Sequence, residues 1–339
     1  MSIGGFSRRL RNGVSSARLN TLILLVFSLH LLAPDSLAAT KYWLAGEDPV
    51  VQKDKHKTDP ADYMDLFNST AQWASSAAGL NVFQISTQMA LRGTDEQLQT
   101  IINGLKANHI AMSIELGLLS YSDSCGKGTE GFSAPLAVEA VSKRISKLGG
   151  QLDYVSMDEP VTWGHAKVGN NPQGIAFCSA SVATLVDMTA PKIAILQHYF
   201  PNIQIGEVDG INSRFPSLSQ DILDFVDQIQ AKLHIKVAFV HADVAWDTNW
   251  RPMLQQLTAG LRARGVRVGI ICDGNVSAPS DAAWTDQALG RCTDVYRDPK
   301  TRPDDLMVQT WLPQPTRMLP ESQPGTLTHL LKQVQTTLR

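Results

Sequence analysis

Carboxylates in this chain recur where short apolar runs give out. Leu152-Asp153-Tyr154-Val155-Ser156-Met157 runs directly into Asp158-Glu159-Pro160. The apolar residues require an interior, whereas the acids at the end require water or a ligand. Glu47-Asp48, Glu207, Asp209, Asp243 and Asp273 each follow a comparable run, and Glu115 lies inside one. Amides and aromatic residues stand at similar places: Thr87-Gln88, His241 with Trp246 and Trp250 just beyond, Asn275, and Gln309 with Trp311. Paired carboxyl groups can do general acid and base chemistry. Burial and like-charge crowding raise one pKa, so that one acid holds its proton while its neighbour ionises.

Such acids act together only if the fold gathers them. From Lys41 onward, strand-like runs alternate with helical patterns. The expected strands are Tyr42–Ala45, Val82–Ser86, Ile110–Leu116, Leu152–Met157, Ile203–Gly206, Val237–His241, Val266–Ile271 and Met307–Trp311. Several are apolar almost throughout, as strands covered on both faces should be. Helical stripes fall between them at Asp62–Ala78, from Thr94 to Leu105, and at Ala134–Leu148, Ser179–Phe200, Leu218–Leu233, Arg251–Arg264, Asp281–Leu289 and Thr326–Leu338. Asp95-Glu96 would occupy the first turn after Thr94, and Gly265 would stop the helix before it. Eight strand–helix units match a single-domain (β/α)8 barrel over residues 39–339. A doubly wound open sheet is the alternative, but no Gly-x-Gly-x-x-Gly and no Gly-Lys-Ser/Thr phosphate loop is present. In a barrel, function gathers at the C-terminal strand ends, where these acids stand.

Converging carboxylates with indole rings nearby suit glycosidic-bond chemistry. One acid protonates the leaving oxygen, a second acts as nucleophile or base, and indole faces stack on pyranose rings. Asp158-Glu159-Pro160 resembles the Asn-Glu-Pro of the large clan of retaining (β/α)8 glycoside hydrolases, in which that glutamate is the acid/base. The resemblance gives this role to Glu159. It implies a carbohydrate substrate and an aromatic platform at Trp311. Two departures stand out. Asp158 occupies the place of the asparagine that binds the substrate 2-hydroxyl. The clan's nucleophile, a glutamate ending strand seven, is replaced by Cys272-Asp273-Gly274. Glu207 and Asp273 are therefore both candidates for the second catalytic carboxylate. Asp158, Trp163, Asp243, His241, Trp246, Gln309 and Trp311 are the expected substrate-binding residues. A non-catalytic glycan-binding barrel is one alternative. Another is a lyase or phosphodiesterase holding Mg²⁺ or Ca²⁺ through Glu47, Asp48, Glu159, Glu207 and Asp209. No zinc-protease or serine-hydrolase motif is present; no cofactor or resident metal is expected.

The first 38 residues read as a secretory leader. Arg8, Arg9, Arg11 and Arg18 precede an apolar run from Thr21 to Leu32, and Ser36-Leu37-Ala38 offers small residues for cleavage. The run is shorter than the ~20 residues that span a bilayer, so stable membrane insertion is not expected. The chain has 30 basic and 32 acidic side chains, and removing the leader's four arginines and Asp35 leaves a net charge of about −5. This acidity argues against nucleic acid as a partner. A secreted or periplasmic monomer is expected. The four cysteines fit disulfides, and of three connectivities Cys125–Cys178 with Cys272–Cys292 joins neighbouring segments.

Overall fold

The computed structural model describes residues 39–55, 62–311 and 314–339. The proposed leader lies outside the described residues. Eight parallel strands close into a barrel. They are β1 (Lys41–Ala45), β2 (Val82–Ser86), β3 (Ala111–Leu116), β4 (Tyr154–Asp158), β5 (Gln204–Ile211), β6 (Phe239–Val244), β7 (Arg267–Cys272) and β8 (Asp305–Gln309). Each strand pairs with its sequence neighbours, and β1 closes onto β8 with Lys41 opposite Asp305 and Ala45 opposite Gln309. The fold is the expected (β/α)8 barrel, not an open sheet.

A helix follows each strand: α1 (Ala74–Gly79), α2 (Asp95–Ala107), α3 (Ala137–Lys147), α4 (Val182–Tyr199), α5 (Leu218–Leu233), α6 (Arg251–Ala263), α7 (Asp281–Arg297) and α8 (Leu327–Thr337). Helix α2 begins at a capping box, in which Thr94 accepts from the Gln97 amide and the Gln97 side chain accepts from that of Thr94. Ser181, Ser280 and Thr326 cap α4, α7 and α8 in the same manner through their side-chain oxygens.

Several elements depart from expectation, among them α7, which runs to Arg297, eight residues past its expected end at Leu289. The helix expected over Asp62–Ala78 is broken into a 3-10 turn at Met64–Phe67 and α1. The Trp73 Nε1–H donates to the Leu66 carbonyl across the break, so that carbonyl is satisfied without a continuous helix. Thr87-Gln88 opens a short helix, Thr87–Arg92, whose N-cap is Ser86. Strand β5 runs to Ile211, five residues past its expected end.

Two apolar layers hold the strands. Trp43, Ala45, Val82, Tyr154, Val208, Phe239, Ile271 and Met307 fill the barrel interior. The opposite strand faces, including Val155, Ile205, Ile270 and Val308, pack in one large cluster with the helices. At Gly206 a Cβ would lie 2.4 Å from the Phe239 ring, so glycine there lets Phe239 fill the interior. Trp43 meets Tyr154 and Phe239 at centroid distances of 5.0 Å. Both favoured disulfides form, Cys125–Cys178 and Cys272–Cys292. Among the described residues, no helix is long and apolar enough to cross a membrane.

Candidate active site

Above the aromatic interior, a cavity of about 460 Å³ opens at the C-terminal rim. Strand alternation explains most of its lining. Tyr154 packs inward, so Ser156 and Asp158 on β4 share that face. The same period brings in Gln84 from Val82 on β2, Glu115 from Ala111 on β3, and Asp243 from Phe239 on β6; all three line the cavity. Glu159 follows Asp158 directly and would face the other way in a continued strand. Its backbone instead adopts φ +38°, a left-handed conformation uncommon outside glycine. The strand ends there, and both acids line the cavity. The β3–β4 loop lies close over this turn. Gly131, at φ +79°, donates its amide to Asp158 Oδ2 at 3.3 Å. A Cβ at Gly131 would lie 2.8 Å from the Asp158 carbonyl. That close approach carries Glu130 into the lining.

The acids titrate together. Burial, followed by the negative charge of Asp243, raises the Glu159 pKa well above the usual carboxylate range. Burial, followed by Glu115, does the same for Asp158. Asp243 is pushed up to about 7 by burial and by Asp273, while a hydrogen bond from Glu159 opposes the rise. Burial and neighbouring negative charge thus hold both Glu159 and Asp243 towards the protonated form. Glu115 Oε2 accepts from Gln84 Nε2 at 2.6 Å and from Gln309 Nε2 at 3.0 Å.

Asp273, at the end of β7, borders an adjoining cavity with Trp246, Trp250 and Arg291; Trp311 lines both cavities. Trp246 Nε1 donates to Asp273 Oδ1 at 2.6 Å, and Arg291 Nη1 lies 3.5 Å from the same oxygen. Burial raises the Asp273 pKa to about 6 against these two partners.

Glu159, Asp158, Asp243, Gln309 and Trp311 thus meet in one cavity, with Asp273 and Trp246 in its neighbour. Three expected site residues do not. Because β5 continues through Glu207, alternation sends that side chain outward, opposite to Val208, which lines the cavity. Glu207 is completely buried, and neither of its carboxyl oxygens has a hydrogen-bond partner. Burial, followed by Asp209, raises its pKa well above the usual range. His241 does face inward, but one layer below the cavity; it is fully buried, 4.7 Å from the Trp43 ring and 3.4 Å from Asp305 Oδ2. Trp163 lies in a short helical turn after β4, Thr162–Ala166, under the Lys167 ammonium at 3.1 Å from the ring centroid.

Asp209, also outward, accepts from the Val161 and Thr162 amides at 2.8 and 3.0 Å and so ties down the loop that carries Glu159. Asp48 accepts from the Val50 and Val51 amides and from the Ser86 hydroxyl. The five acids considered for Mg²⁺ or Ca²⁺ therefore do not converge. Glu115, Gln84 and Glu130 join the site beyond expectation. The first two were accessible through strand alternation. Glu130 sits in Gly-Thr-Glu-Gly, a loop with no periodic signal.

The chain is thus a (β/α)8-barrel protein with a carboxylate-lined cavity at the strand C-termini. No family model matches it, and no curated protein matches it. Solved structures do. It is similar to a glycoside hydrolase family 10 endoxylanase from a sugarcane soil metagenome, at 12% identity and a TM-score of 0.50, over 88% of this chain and 97% of that one. An intracellular xylanase of Thermoanaerobacterium saccharolyticum, in complex with xylotriose, matches at 12% identity and a TM-score of 0.46, over 80% and 86% of the two chains. The Ignisphaera aggregans GH53 catalytic domain matches at 12% identity and 0.46, over 80% of each. At this identity the likeness establishes the barrel architecture.

Proposed function

We propose that the protein is an exported glycoside hydrolase acting on an oligo- or polysaccharide. The observation that carries this reading is the cluster of acids, Asp158, Glu159 and Asp243, that lines one cavity at the C-terminal rim of the barrel, with Asp273 in the adjoining cavity. Glu159 is the general acid. Its raised pKa keeps a proton for the leaving glycosidic oxygen near neutral pH. Asp273, ionised above about 6, is the second carboxylate. It attacks the anomeric carbon or activates a water. Trp246 and Arg291 hold it in place and keep it charged. The Asp243 carboxyl responds to both acids, since Asp273 raises its pKa and Glu159 lowers it. Trp311, at the junction of the cavities, offers a face for a sugar ring. The fold neighbours supply the barrel only; the chemistry is read from this chain's own acids. Export is supported by the two disulfides, which persist in oxidising compartments.

The test is product release from a panel of polysaccharides by the wild type and by two variants. Glu159→Gln and Asp273→Asn should each lower kcat by about 10²–10⁴-fold, while calorimetry shows binding retained. Unchanged turnover in Glu159→Gln would overturn the assignment. Ligand binding by the wild type with no product after prolonged incubation would make this a glycan-binding barrel. The aspartate that stands at the end of β7 in place of a glutamate is the feature that favours that second reading.

A further inference from the structure

Lys192 stands where α4 calls for an apolar residue. It shares the inward stripe of that helix with Leu185, Thr189 and Leu196, at helical spacing, and is only 3% exposed. A leucine or methionine would fill such a position without burying a charge, and burying one is costly. No carboxylate pairs with the ammonium among the described residues, and burial pulls its pKa down to about 8.

Both of its hydrogen bonds go to one place. Nζ donates to the Leu119 carbonyl at 2.6 Å and to Ser133 Oγ at 2.9 Å. These acceptors stand on two short paired strands, Leu119–Ser120 and Phe132–Ser133, which form the neck of the β3–β4 loop. The Leu119 amide crosses the same neck to the Gly131 carbonyl at 2.9 Å. On and between the two strands lie Gly128, Thr129, Glu130, Phe132 and Ser133, all of which line the main cavity. The tip of the loop has its own ties. These are the Cys125–Cys178 disulfide and Asn171 Nδ2, which donates to the Lys127 carbonyl at 2.9 Å. Lys192 ties the neck to α4 itself.

We propose that Lys192 is a positioning residue, which clamps the neck of the β3–β4 loop to α4 and so sets where Glu130 and the Gly131 amide stand beside Asp158. This rests on the glycosidase reading in taking the loop as a wall of the sugar site. An ammonium suits the task, because it donates to two acceptors at once and its charge strengthens each bond. Methionine would fill a similar volume and hold neither strand. Lys192 lines neither cavity, so its influence passes through the loop. Binding should therefore depend on it more than the chemical step does, since the reacting acids stand at the ends of β4 and β7.

The experiment compares wild type, Lys192→Met, Ser133→Ala and the double variant, by hydrogen exchange and by kinetics on a polysaccharide cleaved in the panel above. Lys192→Met should speed exchange about tenfold or more across residues 119–133, with α4 and β4 as protected as in wild type. KM should rise about tenfold while kcat changes by less than about threefold. Ser133→Ala removes one acceptor and keeps the lysine, so it should show the same two effects in smaller measure. Added to Lys192→Met it should change nothing further. Exchange quickened equally through α4 would make Lys192 a core-packing residue. Additive effects would make Ser133 a direct sugar contact. A loss confined to kcat, or unchanged exchange at the neck, would show that the clamp does not position the wall. Each of these overturns the proposal. Should Lys192→Met fail to fold, Ser133→Ala decides the matter by the same exchange and KM readouts. If the wild type cleaves no glycan, the glycosidase reading falls, and the exchange pattern still decides whether Lys192 holds the loop.

Discussion

At the scale of single residues, two acids set the pH dependence expected of the site. Activity should appear as Asp273 ionises near 6 and disappear when Glu159 loses its proton. The two limbs of the kcat/KM profile can be moved separately. Asp243→Asn removes a negative neighbour that raises the Glu159 pKa, so the descending limb should shift to lower pH. Trp246→Phe removes the Nε1–H donor that stabilises ionised Asp273, so the ascending limb should shift to higher pH. A profile in which neither limb moves would separate these acids from the chemistry. Asp158, Glu159, Asp243, Gln309 and Trp311 were legible in the sequence because each stands at or just beyond the end of a largely apolar run. Glu207 misled for a definite reason. The run Ile203–Gly206 looks finished at its glycine, yet that glycine only makes room for Phe239, and the strand continues. A residue read as standing beyond a strand end is in fact inside it, and its face is reversed.

At the scale of elements, each disulfide joins parts that carry site residues. Cys125–Cys178 ties the β3–β4 loop, which carries Glu130 and Gly131, to the segment leading into α4. Cys272–Cys292 ties the end of β7 to α7, beside the Arg291–Asp273 contact. Their pairing was favoured from proximity in sequence; the structure adds what each one holds. Closing loops with separations of 53 and 20 residues stabilises by about 4 and about 3 kcal/mol in the chain-entropy account. Replacing each pair by serines should lower unfolding free energy in that order, as measured in denaturant. The functional effects should differ in kind. Losing Cys125–Cys178 frees Glu130 and should weaken ligand binding. Losing Cys272–Cys292 loosens Asp273 and should depress kcat. Equal stability losses with no change in either kinetic constant would make both links purely structural. Helix boundaries were less legible than strands: Trp73 captures a carbonyl from seven residues back and ends a stripe that looks continuous.

At the scale of the whole molecule, the eightfold alternation of apolar runs and helical stripes, with no nucleotide-binding motif to call for an open sheet, was enough to read the barrel. The distribution of buried charge within it was not readable, and it yields a prediction about stability. Glu207, Asp158, Glu159, Asp209, Asp243 and Asp273 all have raised pKa values in the folded chain, with burial the first cause in each. Between the unfolded carboxylate pKa of about 4 and these higher values, the folded state binds more protons than the unfolded state. Stability must then fall as pH rises through that window. Asp305 has the opposite sign. Burial would raise its pKa, but His241 and Arg267 outweigh it and hold it low, so its contribution is present at neutral pH and lost on strong acidification. The protein should therefore melt highest at mildly acidic pH and lose stability towards pH 8. Glu207→Gln isolates a structural part of that loss, because Glu207 lies away from the cavity and neither oxygen has a hydrogen-bond partner. The variant should raise the melting temperature by a few degrees at neutral pH, leave it unchanged near pH 4, and flatten the decline between. Asp305→Ala should instead lower it at neutral pH, by about 3–5 kcal/mol of unfolding free energy, and make the variant less sensitive to acid than the wild type. If Glu207→Gln destabilises at every pH, the outward carboxyl has an ionised role in the fold, and the account of it as a buried neutral acid is wrong.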